Sequence, residues 1–96
     1  MISLEDCIAL CGLSRKEVMA IAEHEHVPAI TAAAMGRYLL KKPGGAEQIR
    51  DMIRADLHEA LSRDDKDHAS ELLMVLRQFL SAHPEAQVRQ GGGRAS

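Results

Sequence analysis

The stretch Ala46–Leu80, AEQIRDMIRADLHEALSRDDKDHASELLMVLRQFL, decides the fold. In its first half the apolar residues fall at Ile49, Met52, Ile53, Leu57, Ala60 and Leu61. In its second half they fall at Ala69, Leu72, Leu73, Leu76, Phe79 and Leu80. Both series step by three and four, the repeat of one helical face, and no Gly or Pro interrupts either. The polar run Ser62–Lys66 between them is short enough to fold the two helices back antiparallel.

Composition extends this reading to the rest of the chain. Its 96 residues suffice for one domain with a modest core. The hydrophobic fraction is 46% but the aromatic fraction only 2%, Tyr38 and Phe79 being the whole set. A core of Leu, Ile, Val, Met and Ala suits helix-on-helix packing better than a sheet, and the five Met residues make part of it adaptable. The predicted fold class is all-α: a compact bundle of about five helices with a long antiparallel C-terminal pair. Residues 1–84 form the single domain, and 85–96, with three consecutive glycines and no apolar periodicity, read as a disordered tail.

Upstream, Ser3 caps a first helix over Leu4–Cys11, with Glu5 and Asp6 in its first turn, and Gly12 stops it. Ser14 and Glu17 form a Ser-x-x-Glu capping box for a second helix running to about Glu25, with Leu13 stapled on Val18. Pro28 places a bend at His26–Val27 and starts a third helix that runs to about Lys41. Its Thr31-Ala32-Ala33-Ala34 centre is small enough for close approach by a neighbour. Pro43-Gly44-Gly45 breaks the chain again, Asp64 or Asp65 caps the last helix, and Pro84 ends it.

A net charge of −2 and a pI near 6.2 argue against a protein that coats nucleic acid or anionic membrane. No apolar run approaches the roughly 20 residues of a membrane span. The opening residues carry no basic lead and no signal-peptide core, so a soluble cytoplasmic chain of bacterial type is expected. Cys7 and Cys11 lie one helical turn apart, where a disulfide would be strained and would link nothing distant. They read as small thiols on the apolar side with Leu4 and Ile8. No cofactor is expected. The serines stand at caps or on the surface, and no nucleophile–base signature is present.

Leu4–Ile21 resembles the helix-turn-helix of bacterial DNA-binding regulators over about a fifth of the chain, with Gly12 at the turn and Leu13, Val18 and Ile21 at its apolar positions. It departs from that motif at Ile8, four residues before the turn, where the family has a small residue. The resemblance implies DNA contact by the second helix. Chemistry supplies only Arg15 and Lys16 there, against Glu17, Glu23 and Glu25. The run Ala-Glu-His-Glu-His-Val-Pro, residues 22–28, resembles a set of short bacterial all-helical proteins to which no activity is attached. Coverage extends from about Leu13 to Pro84, and a helical fold is all it implies.

Two other features carry chemistry. Glu23 and His26 share a helix face, a carboxylate-x-x-His spacing that recurs where helical bundles hold metal ions. The inward positions of the two long helices are Ile, Met and Leu, however, and a solvated charged turn is the plainer reading. Arg37, Lys41, Lys42, Arg50 and Arg54 make a positive stretch beside the Gly44-Gly45 helix start, where free N–H groups can receive an anion. It lacks phosphate-loop spacing. With Arg15 and Lys16, these are the candidate nucleic-acid or anion contacts.

The functional expectation is a non-enzymatic interaction or regulatory module that binds another protein or its own copy. Leu72, Leu73, Val75, Leu76, Phe79 and Leu80 cover more than a narrow stripe, with Val75 off the main face. Such surplus either marks a partner surface, with Tyr38, Leu72, Val75 and Phe79 as its candidate residues, or means that the first three helices wrap both sides.

Overall fold

A computed structural model describes residues 3–87. They form five α-helices, α1 (Leu4–Cys11), α2 (Arg15–Glu25), α3 (Ala29–Lys41), α4 (Gly45–Ser62) and α5 (Lys66–Ala82), followed by a 3₁₀ turn over Pro84–Ala86. The all-α bundle anticipated from periodicity is the fold. α4 and α5 share the most extensive interface in the molecule, folded back across Arg63-Asp64-Asp65.

Local chemistry sets the boundaries. The Ser14 hydroxyl accepts from Glu17 N–H at 3.1 Å while the Glu17 carboxylate accepts from Ser14 N–H at 2.8 Å, closing the capping box. Ser3 and Asp6 close a second one at the start of α1. Gly12 takes φ 83° at the end of α1, a left-handed value at which a Cβ is disfavoured. α2 ends on His26 at φ 58°, and both His26 and Val27 N–H return to the Ala22 carbonyl. Pro28 is the N-cap of α3 rather than its first helical residue. Asp65 is the N-cap of α5, accepting from His68 N–H at 3.3 Å.

The core is aliphatic, built around Phe79, Ile21, Ile49, Ile53 and Val18, all fully buried. Leu13 and Val18 on either side of the Ser14 cap are both buried. α3 turns Ala32, Ala33, Gly36 and Leu39 inward and packs against α1, α2 and α4. α2 packs in addition against α5. That last contact decides between the two readings of the surplus on α5. Of the first three helices it is α2 that covers α5: Leu72 and Val75 are 3% exposed and Phe79 is fully buried, while Leu73 stays on the outside.

Residues 85–87, where the expected tail begins, are among the described residues. Ala86 is fully buried, and its carbonyl accepts a 2.8 Å hydrogen bond from Arg50 Nη1. Proline in the first position favours the 3₁₀ turn that delivers Ala86 to the α4–α5 surface. Residues 88–96, where the rest of the expected tail falls, lie outside the described residues.

Candidate functional site

α3 has two opposite faces of different character. Its inner face is small and buried. On the outer face Ile30, Ala34 and Tyr38 recur at a spacing of four, which aligns them along one side of the helix. Ile30 is 45% and Tyr38 66% exposed, and Ala34 between them is exposed as well. The stripe is bounded differently on its two sides. Toward α4 an open groove of about 520 Å³ runs beside it, lined by Thr31, Ala34, Met35, Tyr38 and Met52, with Glu25 at its rim. Toward α1, Leu10 stands 62% exposed beside Ala33, Ala34 and Arg37.

The charges around this face are polarised along the helix. Arg37, Lys41 and Lys42 gather at its C-terminal end, and Lys42 Nζ lies 5.7 Å from the centre of the Tyr38 ring. Glu25 stands at the N-terminal end. Among the described residues neither Glu25 nor Arg37, Lys41 or Lys42 makes a salt bridge.

Of the four residues expected at a partner surface, only Tyr38 is on the outside. Leu72, Val75 and Phe79 belong to the interior because α2 covers the side of α5 that periodicity alone leaves open. Ile30, Leu10, Met35 and Met52 were missed. A signal existed: the apolar residues of α3 are not confined to one face of the helix.

Three of the candidate cations already have partners within the chain. Arg15 pairs with Glu5, and Lys16 lies 4.0 Å from Glu71. Arg50 is half-buried, divided between Asp51 at 2.9 Å and the Ala86 carbonyl, so its work is structural. Arg54, one turn on from Arg50, lies on α4 and is exposed. α1 and α2 scarcely touch, each leaning on α3 instead.

Glu23 and His26 are not brought together as a ligand pair. Glu23 Oε2 meets His68 Nε2 across the α2–α5 contact at 2.7 Å, and His26 leaves the helix at the left-handed cap. Among the described residues no group of three or more His, Cys, Asp and Glu is gathered for a metal ion. The Glu23 hydrogen bond raises the His68 pKa above its ordinary 6.5 against the opposing effect of burial; the charges of Glu23 and Asp65 and a hydrogen bond to Glu71 add to the rise. On the next residue of α2, His24 Nδ1 reaches Asp56 Oδ1 of α4 at 3.1 Å. Two histidine–carboxylate pairs therefore bolt α2 to both members of the long hairpin. Asp56 Oδ2 is buried and has no hydrogen-bond partner among the described residues. Sequence spacing could not have found these pairs, whose members lie 45 and 32 residues apart.

What this fold defines is a small all-α bundle with one two-sided apolar helix. Compared with protein-family models, with curated proteins and with solved structures, the chain matches none of them. Among the described residues no helix is long and apolar enough to cross a membrane.

Proposed function

We propose that this chain is a non-enzymatic protein-interaction module of the bacterial cytoplasm, docking a partner on the outer face of α3. One observation carries the reading: the two largest exposed apolar side chains of α3 are aligned on one face, with a small residue midway and an apolar groove alongside. Isolated exposed hydrophobics are ordinary; a contiguous patch rimmed by charge is a recognition surface. Tyrosine is well suited to anchor it, bringing large area at low rotamer entropy. The small side chains of Ala34 and Thr31 admit the backbone of an opposing helix.

Nucleic-acid contact by α2 is disfavoured by charge. Arg15 and Lys16 at its start already face carboxylates, and a phosphate contact by either would first have to break that pair.

A photo-crosslinking side chain placed at Tyr38, in the cells that make the protein, tests the proposal. The expected result is one discrete protein adduct, with none from the same probe at the exposed His58 of α4. No adduct at Tyr38, or the same adducts at both positions, overturns it.

A further inference from the structure

We infer that Cys7 and Cys11 form a two-coordinate thiolate site for a soft monovalent metal ion of the copper(I) class, set between α1 and α3. Such a site does not depend on a partner at the α3 face. The two cysteines are the whole complement of the chain, and both are free. They line one pocket of about 150 Å³ together with Leu10 of α1 and Ala33, Ala34 and Arg37 of α3. Helix geometry decides what the two sulfurs can do together. Side chains four apart on a helix share a face, with their Cβ atoms about 5–6 Å apart. A disulfide requires about 3.5–4.5 Å between those atoms, so the intact helix disfavours it. An ion gripped from both sides by metal–thiolate bonds of about 2.3 Å needs its sulfurs roughly 4–5 Å apart. Two Cβ–Sγ bonds reach that span without unwinding a turn.

The rest of the lining selects the ion. Among the described residues the pocket offers two sulfurs, three apolar side chains and a guanidinium, with no carboxylate or imidazole. Hard cations need several oxygen ligands, and zinc takes four donors in a tetrahedron, so neither is served. Thiolates favour soft ions, copper(I) among them, and copper(I) accepts two sulfurs in a line. Binding exchanges two S–H bonds for two metal–sulfur bonds and releases both protons to water; no electron moves. The product, two thiolates around one monovalent cation, carries a single negative charge. Arg37 supplies the opposite charge at the pocket wall, and among the described residues it makes no salt bridge. Little existing structure is lost. Cys11 is 4% exposed, and its Sγ donates only weakly to the Ile8 and Leu13 carbonyls, at 3.3 and 3.9 Å. Cys7 is half-buried and gives the ion its way in from solvent, beside the exposed Leu10.

Anaerobic titration of the reduced full chain with copper(I), in competition with a chromogenic copper(I) chelator, tests the site. The expected result is one tightly held copper per chain, both thiols lost to a thiol reagent on loading, and an X-ray absorption spectrum with two sulfur neighbours. Cys7→Ser or Cys11→Ser is expected to weaken binding about a hundredfold or more, and Arg37→Ala, which leaves both sulfurs in place, about tenfold. Cys11 is buried, so Cys7→Ser, at a half-buried position, carries the test if Cys11→Ser does not fold. Cys7→Ser combined with Ala9→Cys keeps two thiols but puts them on different sides of α1, and is expected to bind no better than Cys7→Ser alone. No copper held against the chelator, either Cys7 variant binding as tightly as the parent, or one copper shared between two chains overturns the site.

Discussion

The α3–α4 corner joins the two helices that line the groove, and Gly45→Ala tests how it is built. Gly45 is the first residue of α4 and has no positive φ, so local propensity favours alanine there by about 1 kcal/mol. Packing says the opposite. A Cβ at Gly45 would fall on the Leu39 carbonyl and 3.0 Å from Leu39 Cα, backbone that cannot step aside like the end of a side chain. Overpacking of this kind costs about 1–3 kcal/mol, and a backbone obstacle puts it at or beyond the upper limit. The net expectation is a loss of about 2 kcal/mol from a total stability of about 5–10 kcal/mol. At about 4–8 °C per kcal/mol, the melting temperature falls by on the order of 10 °C. Gly44→Ala is the control. Gly44 has φ 78° but nothing within 4 Å of its would-be Cβ, so only the left-handed strain of about 1–2 kcal/mol applies. Urea unfolding followed by helical circular dichroism measures both. If Gly45→Ala is as stable as the parent, or more stable than Gly44→Ala, close backbone approach does not define this corner.

Other consequences are checked by similar means. The His68 pKa is raised in the folded state, so its pair with Glu23 contributes fully below about pH 6.5 and fades as pH rises through the higher folded value. The loss should vanish in His68→Gln, and an NMR titration that finds His68 at or below its ordinary pKa would refute it. Phe79→Ala empties a fully buried site and should cost about 3–5 kcal/mol, whereas Met74→Ala, at a 62% exposed position, should stay within about 0.5 kcal/mol. Equal effects in denaturant titration would mean that α5 is not enclosed as described. His24→Ala leaves both Asp56 oxygens without a hydrogen-bond partner and is expected to cost about 1–3 kcal/mol; an unchanged urea midpoint would show that the pair does not hold α2 to α4.

Elements whose determinants are local were legible in order of sequence. The three-and-four repeats of Ala46–Leu80, the Ser14–Glu17 box and the Gly12 stop each depend on residues within a turn or two, and each appears where the pattern places it. The packing of Ala86 on the bundle was not legible, because Ala86 is held by Arg50, 36 residues away, a contact without a local signature.

The candidate site divides along the same line. The sequence alone determined that there are five helices, that the last two fold back on each other, and that apolar helix surface exceeds one narrow stripe. Which part of that surplus is covered was decided only by tertiary packing. α2 lies across α5 and closes over Leu72 and Val75, while nothing in the described chain lies across Ile30, Ala34 and Tyr38. A helical repeat says how side chains are distributed around an axis; which sides meet neighbours depends on how α2 crosses the long hairpin. Two histidine–carboxylate pairs reaching across 32 and 45 residues hold it there.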